Sequence, residues 1–487
     1  MSLGPPAPPS GSLDGSPRAV RTAGDRAARV RFRRAIALML MTLVLPGSAQ
    51  LVAGNRRVGR IALRIWMVLA LGTLLFLGAS LIWHGVAFRM AVDPLALGLL
   101  RVLLMALAIG WALLFMDAWR IGQPLTLSQQ HRRAVVGVNG ILSLTVAGSL
   151  LFGAHLVGVH RDFMVETFSE GSVTAANNGR YNVLLLGGDS GAGRWGLRPD
   201  SMTIASIDAV TGRTVLISLP RNMANFPFAE GSVMDKMFPR GFDCKDCYLN
   251  GVSTWAQDHP ALFRGSDNPG VEATIMAIEG ITGLETNYWA MVNLQGFKDL
   301  VDAVGGVTLN VRDRIPVGLP HESYFRYIEP GTKRLDGQET LWFARARYGS
   351  DDYSRMARQK CVMNAMLQQV SPQSALRNFQ SIAQASSEML ATNLPRGEVG
   401  RFIDLALKAK GQKVSSLSLV PPLINTGDPD IDLVRAKVAA FIDRAEGEAP
   451  PPGKKRRKNP SSVTGGSLGS LAQGYAANQA TDVGAAC

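Results

Sequence analysis

Three apolar runs dominate the first third of this chain and limit what it can fold into: 63–83 (LRIWMVLALGTLLFLGASLIW), 95–115 (LALGLLRVLLMALAIGWALLF) and 134–159 (AVVGVNGILSLTVAGSLLFGAHLVGV). Each reaches the roughly 20 residues a helix needs to cross the hydrocarbon core of a bilayer. A fourth run, 35–54, is broken by Pro46-Gly47-Ser48, and the distribution of basic residues decides its status. Seven arginines precede it, four follow it (Arg56, Arg57, Arg60, Arg64), and Arg120, Arg132 and Arg133 lie between the second and third long runs, while the connection near Arg89 is poor in charge. A full crossing by 35–54 would put two strongly basic loops on opposite faces, against the positive-inside tendency. A half-membrane hairpin that enters and leaves on the cytoplasmic side removes the conflict, and three crossings then deliver the rest of the chain outside the cell. No small-residue cleavage site follows the first run, so the pattern is not that of a cleaved signal peptide.

At 487 residues the chain exceeds one ordinary domain. Residues 1–34, rich in Pro, Gly, Ser and Arg, hold too few large apolar side chains to offset ordering entropy and are expected to be a disordered, basic, cytoplasmic leader. Residues 35–159 form the membrane region, 179–446 a globular domain, and 447–487, which contains PPPGKKRRKNP and then mostly small and polar residues, a disordered tail. The net charge of +13 does not argue for a nucleic-acid partner, because the cytoplasmic arginines that orient the membrane region contribute to it. On this topology KKRRK at 454–458 faces anionic wall polymers or lipid headgroups outside the membrane. Cys244 and Cys247 form a CKDC pair in a loop-like stretch; one such pair with six scattered histidines does not supply a four-ligand zinc set. The exported location favours a disulfide between them, with free thiols as the alternative. Cys361 reads as a packing residue and Cys487 as part of the disordered tail.

Within the globular domain, YNVLLL (181–186) reads as a buried strand ending at Gly187-Gly188-Asp189-Ser190. MTIASIDA and TVLISLP read as two further strands around a turn at Thr211-Gly212, with Arg198 and Asp200 before the first and Arg221-Asn222 after the second. Asp189, Arg198, Asp200 and Arg221 are therefore expected to converge at one edge of a sheet. A helix over 271–281, an extended 288–292, a helix over 294–304 and the strand VTLNV come next. This alternation predicts an α/β fold with a mixed central β-sheet flanked by helices, preceded by a helical transmembrane region. Gly191-Ala192-Gly193-Arg194-Trp195-Gly196 fits GxGxxG, yet the residues after it read as strand and turn rather than the helix a dinucleotide site requires. Gly188-Asp189-Ser190-Gly191 has no histidine and acid placed to complete a triad, which leaves Asp189 as a metal ligand or base.

Leu341 to Met363, LWFARARYGSDDYSRMARQKCVM, gathers four arginines, a lysine and two aspartates, with Asp352, Arg355, Gln359 and Val362 recurring at helical spacing. Planar guanidinium groups with forked donors suit phosphate. A dense arginine face beside a second charged cluster at strand ends points to a polyanion rather than to a solvated surface.

The order YNVLLLGGDS, RPDSM, VLISLPRN, LVDAVGGVTLNV and LDGQETLWFARARYGSDDYSRMARQ closely resembles the LytR-CpsA-Psr family of cell-wall phosphotransferases, across roughly 179–446. The last block is the most diagnostic, with Arg345, Arg347, Asp352, Arg355, Arg358 and Gln359 at the family's spacing. The resemblance implies a membrane-anchored, extracytoplasmic domain that binds a polyprenyl pyrophosphate in an apolar tunnel and transfers its phosphoglycan to peptidoglycan. It further implies that Asp189 and Asp200 bind Mg²⁺, and that Arg198, Arg221, Arg345, Arg347, Arg355, Arg358 and Gln359 hold the pyrophosphate, with Asp352 in support. The catalytic set would be Asp189, Asp200, Arg198 and Arg221. The sequence departs from the family pattern at Asn222, where aspartate is usual, at Gly191, where arginine is common, and in having several crossings where one anchor is usual. The expected partners are the lipid-linked glycan, the peptidoglycan acceptor and the bilayer, and no nucleic acid. A lipid pyrophosphatase, or a non-catalytic membrane regulator or lipid-binding scaffold, is the alternative. Ile275, Ile278, Ile281, Leu300 and Val301 are the candidate lining of the prenyl slot, with ordinary core as the other reading.

Overall fold

The computed structural model describes residues 23–82, 90–91, 93–168, 173–188, 198–348, 350–369, 390–447, 478 and 482–487. The chain divides into two units, one of Met1–His84 with Leu99–His155 and the other of Gly85–Gly98 with Leu156–Cys487.

The first unit is helical. Helix α1 spans Ala23–Val44, so residues 23–34, expected to be disordered, are the start of a helix. The reason is continuity: a helix that nucleates in the apolar run 35–44 propagates backwards through arginines and alanines, which are good helix formers. The chain turns at 45–47 into α2 (Ser48–Ala53). Gly47 has φ +91°, and a Cβ there would lie 2.6 Å from the Gly59 carbonyl oxygen, so only glycine lets the two backbones approach this closely. Gln50 Nε2 donates to the Leu114 carbonyl at 3.0 Å and Trp111 Nε1 to the Thr42 carbonyl at 3.1 Å, which fastens this helical hairpin to a longer helix. Three helices, α3 (Arg56–Ile82), α4 (Pro94–Ile121) and α5 (Gln129–Thr167), are long and apolar enough to cross a membrane. Large apolar side chains such as Leu74, Leu99 and Leu144 stand exposed along them, as lipid-facing residues must.

The second unit is built on a six-stranded mixed sheet of order β10-β3-β2-β1-β4-β9. The strands are β1 (Arg180–Gly188), β2 (Pro199–Asp208), β3 (Thr214–Leu219), β4 (Tyr288–Asn293), β9 (Leu390–Thr392) and β10 (Ser415–Ser418). β1 runs parallel to β4 and β3 parallel to β10, while the β1–β2, β2–β3 and β4–β9 pairs are antiparallel. Two small antiparallel pairs, β5 (Val307–Val311) with β8 (Gly331–Leu335) and β6 (Ile315–Val317) with β7 (Arg326–Ile328), lie outside it. The expected mixed sheet flanked by helices is what the chain forms.

Alternation along the strands separates two faces. Leu184, Leu186, Ile204, Val215 and Ile217 enter the main core. They pack there with α7 (Val252–Asp258), α8 (Pro269–Thr282) and α13 (Ile431–Glu446); α6 (Val233–Met237) adds Met234. Helix α8 starts with Pro269 in its first turn and stops at Gly283 in the left-handed region. Fully burying each large apolar side chain contributes about 1.5–3 kcal/mol. The opposite face is covered by α9 (Leu294–Ala303), α10 (Gly337–Arg345), α11 (Asp352–Gln369) and α14 (Val483–Ala486), with α12 (Arg396–Ala409) near the strand starts. Side chains set the starts of these helices: Asn293 accepts from Gly296 N–H, Asp336 from Glu339 N–H, and Asp351 from the N–H groups of Tyr353 and Ser354.

The expectations for the tail and for Cys361 and Cys487 change here, while the expected Cys244–Cys247 pair forms. Residues 482–487, expected to be disordered, dock on the domain, and Cys487 forms a disulfide with Cys361. An apolar Val483 gives the segment a burial site that its small and polar neighbours do not announce. Cys244 and Cys247 are also joined. Residues 1–22 and 448–477, including KKRRK, lie outside the described residues.

Candidate active site

A cavity of about 320 Å³ lies between the helix-covered face of the sheet and α9–α11. Its floor comes from β1, β2 and β4 through Leu185, Gly187, Ser201, Thr203, Ala290 and Val292, residues paired across the strands in register. Gly187 has no room for more: an added Cβ would meet the Ser201 Cβ at 3.1 Å. Phe297 and Leu300 of α9, Leu341 and Ala344 of α10, and Val362 and Met363 of α11 form the apolar walls. Asp200, Arg345, Arg347, Arg355 and Gln359 form the polar part of the lining.

That polar part is assembled from three elements. The β1–β2 register shifts between Gly187, paired with Ser201, and Gly188, paired with Pro199, so Asp200 is the extra residue of a bulge. Arg221 follows β3, and its Nη1 lies 2.6 Å from Asp200 Oδ1. Asp352 opens α11, where an anion is favoured by the helix dipole. One turn later Arg355 reaches back to it in a bidentate pair, Nε to Oδ1 at 3.0 Å and Nη2 to Oδ2 at 3.1 Å. The remaining Nη1 of Arg355 donates to the Asp200 carbonyl at 2.9 Å, which ties helix to strand. Asp352 Oδ1 also lies 3.5 Å from Arg221 Nε and 3.8 Å from Arg347 Nη1. Two carboxylates thus hold three guanidinium groups, while Arg345 stacks over the Trp342 ring at 5.0 Å.

Electrostatics follow from this geometry. Burial pushes the Asp200 carboxyl up, but the hydrogen bond and charge of Arg221, with the charges of Arg355 and Arg347, outweigh it and hold the group below the usual aspartate range. Arg347 is lowered too, here against its charged form: burial and the charges of Arg221 and Arg355 lower its pKa despite Asp352 and Asp200. A cation crowded mainly by cations gains from an arriving anion. Together with the apolar walls, the site suits a molecule with a polyanionic head and a hydrocarbon chain.

Several expected site residues lie elsewhere. Arg358 is fully buried and does not line the cavity. Its Nε donates to the Phe343 carbonyl at 2.7 Å and its Nη2 to that of Ala346, so it satisfies the last carbonyls of α10 and bolts α10 to α11. Helical spacing could not separate it from Arg355, because residues three apart share roughly one side of a helix, and only the packing of α10 against α11 decides which of them meets the cavity. Arg198 is exposed ahead of β2 and takes no part in the cluster among the described residues. Asn222 is exposed just beyond Arg221. Asp189 and Gly191 lie outside the described residues. Of the candidate slot residues only Leu300 lines the cavity; Ile278 and Ile281 belong to the core on the other face, with Ile275 packed against it, and Val301 to the core around β5 and β8. The sequence reading missed Ala290, Val292, Phe297 and Ala344; of these Ala290 carried a signal, as the small residue among the large ones of β4.

A sequence profile of the LytR_cpsA_psr family matches residues 156–426. Biofilm regulatory protein A of Streptococcus mutans is 25% identical over 265 residues, covering 53% of this chain and 60% of that protein, so the match leaves two fifths of that relative unaligned. The Enterococcus faecalis polyisoprenyl-teichoic acid–peptidoglycan teichoic acid transferase TagU is 28% identical over 238 residues, covering 47% of this chain and 67% of that protein. Among solved structures, B. subtilis TagV is similar at 21% identity and a TM-score of 0.40, covering 56% of this chain and 100% of TagV. With its match extending over more than half of its length, the chain belongs to the LytR_cpsA_psr family.

Proposed function

We propose that this protein transfers a phosphoglycan from a polyprenyl-pyrophosphate carrier to peptidoglycan, on the outer side of a bacterial membrane. The observation that carries this reading is the cavity itself, in which apolar walls meet Arg345, Arg347 and Arg355 at one site. An isoprenoid chain fits the walls, and a pyrophosphate fits the guanidinium cluster. Relatives whose names assign them transfer of teichoic acid to peptidoglycan support the same class of reaction.

In this reading an acceptor sugar hydroxyl attacks the phosphorus that bears the glycan. The bond to the bridging oxygen breaks, the glycan phosphate passes to the acceptor, polyprenyl monophosphate leaves, and the proton of the acceptor hydroxyl passes to water. Arg221, Arg347 and Arg355 hold the phosphate oxygens and balance charge on the bridging oxygen as it departs. Asp200 is a poor proton acceptor, since its neighbours keep it ionised. It fits instead as a ligand for Mg²⁺: among the described residues its Oδ1 is engaged by Arg221 and no partner engages Oδ2. Magnesium takes one or two carboxylates together with phosphate oxygens, so Asp200 with Asp189 would suffice. When bound, the ion would neutralise the pyrophosphate and polarise the phosphorus under attack. For the topology, the arginine-rich segments face the cytoplasm and α3, α4 and α5 place the globular unit outside.

Radiolabelled lipid-linked glycan incubated with the protein and peptidoglycan tests the reaction. Label on peptidoglycan, lost in the Asp189→Ala, Asp200→Ala double variant, is expected. Labelled glycan phosphate released to water without transfer identifies a pyrophosphatase, and binding alone identifies a scaffold. For the topology, a cysteine at Val173 should react with an impermeant thiol reagent in intact cells and one at Arg57 should not; outside labelling at Arg57 refutes the three-crossing arrangement.

A further inference from the structure

We infer that Asn478 and residues 482–487 form a positioning element of the pyrophosphate site, holding α11 against the sheet. The inference rests on the functional reading above only in calling that site a pyrophosphate site. Four consecutive residues of α11 carry it. Arg358 fastens α10, and Gln359 lines the cavity. Lys360 and Cys361 point to the neighbourhood of the segment.

Lys360 is buried, and its Nζ donates to Ser416 Oγ at 3.1 Å and Ser418 Oγ at 3.0 Å, both on β10. Ser418 Oγ in turn donates to Asn478 Oδ1 at 3.0 Å. Asn478 is buried as well, and its Nδ2 donates to the Tyr353 carbonyl at 2.6 Å. The chain of bonds thus leaves α11 at Lys360, crosses β10 and Asn478, and returns to α11 beside Asp352 and Arg355. A buried network with every member paired fixes orientation, because each misalignment strands a polar group away from water.

The rest of the segment closes the sheet edge and supports the cavity wall. Asp482 pairs with Ser415, its carboxylate lies 3.7 Å from Lys413 Nζ, and Val483 N–H donates to the Val414 carbonyl at 3.1 Å. β10 is an edge strand, and the segment covers part of it. Val483 is buried in a cluster with Ala205 and Leu216, against which Leu185 and Met363 pack. Leu185 and Met363 also line the cavity. The disulfide from Cys487 to Cys361 adds a covalent tie one turn from that wall.

The test uses the full-length protein in detergent, with Asn478→Ala and Cys487→Ser as variants and geranylgeranyl pyrophosphate as the probe. Hydrogen exchange at the α11 amides of 353–359 should accelerate at least about tenfold, with no change at the α8 amides of 269–282. The probe's Kd should rise by about tenfold, in line with the loss of one buried hydrogen bond. Exchange that rises equally in α8 shows a general loss of stability and overturns the inference. So does α11 exchange that matches the unsubstituted protein, or faster α11 exchange with an unchanged Kd. If the unsubstituted protein does not bind the probe, the functional reading fails, and the exchange measurement alone decides whether the segment holds α11. Should Asn478→Ala not fold, Cys487→Ser carries the same comparison.

Discussion

Replacing Asp352 with asparagine isolates the role of the carboxylate that organises the arginines. Asparagine keeps the shape and one acceptor oxygen but removes the charge that Arg355 grips at 3.0 and 3.1 Å and that Arg221 and Arg347 approach at 3.5 and 3.8 Å. The Arg355 side chain is only 4% exposed, so it cannot exchange its partner for water. Removing one member of such a buried pair costs roughly 3–5 kcal/mol. The 19% exposure of Asp352 and the retained acceptor place the change at the lower end, about 3 kcal/mol. At roughly 2 °C per kcal/mol for a domain of this size, Tm should fall by about 6 °C. Thermal unfolding in detergent, followed by tryptophan fluorescence, measures this. A second arm adds inorganic pyrophosphate. In the variant the anion supplies the missing negative charge, so saturating ligand should raise Tm more than it does in the unsubstituted protein. A Tm within about 1 °C of the parent, or an equal ligand-induced shift, would refute the clamp.

The same geometry fixes three further outcomes. The folded pKa of Asp200 lies below the ordinary 3.8, so its contribution to stability is fully present above 3.8 and lost only as pH falls through the lower folded value. Stability between pH 5 and 8 should therefore be the same in Asp200→Asn as in the parent in slope, though not in magnitude, and a difference in slope there would contradict the assignment. Lys360 has the same sign in a higher window: burial pulls it from 10.5 to about 7, so the unfolded chain holds the extra proton between those values and stability should rise with pH across that window. Urea unfolding at pH 7 and at about pH 9 should show the rise, and Lys360→Met should lose it. Ala290→Phe fills the apolar end of the cavity and should weaken geranylgeranyl pyrophosphate binding by at least about a hundredfold while leaving inorganic pyrophosphate binding unchanged; equal loss of both would mean that the walls do not hold the chain.

Part of the globular unit was legible, where an element is short, strongly patterned and closed by glycines or a turn, whereas β6 to β10, α6, α7, α10, α12 and α13 were not read. The run 181–186 became β1, 271–281 became most of α8, and Asn293 and Asp336 mark the helix starts that come after them. The pairing of Arg221 with Asp200 was legible only as convergence at one sheet edge; the bulge that lifts Asp200 out of register is a property of two strands together and leaves no mark on either alone. Arg358 shows the reverse failure. Its residue type and spacing fit a phosphate ligand, yet the last carbonyls of α10 needed a donor, and a buried guanidinium met that need. The docking of Asn478 and Val483 was hidden for a different reason: one buried amide and one valine decide it, and composition averaged over 447–487 dilutes both.

The presence of two carboxylates in a site built for an anion has a physical rationale. Arg221, Arg347 and Arg355 repel one another, and without a counter-charge each long side chain would swing toward solvent. Asp200 and Asp352 hold them in place before any ligand arrives, so the ordering cost is met during folding rather than during binding. Their two negative charges do not cancel the three positive ones, and Arg345 adds to the excess. On the proposed function, the arriving head group would therefore meet an organised, net-positive cluster. Because Asp352 is shared among all three guanidinium groups while, among the described residues, Asp200 pairs by side chain only with Arg221, the two carboxylates need not play the same part. Asp352 sets the geometry of the clamp, and Asp200 is the carboxylate to which the proposed function gives the cation.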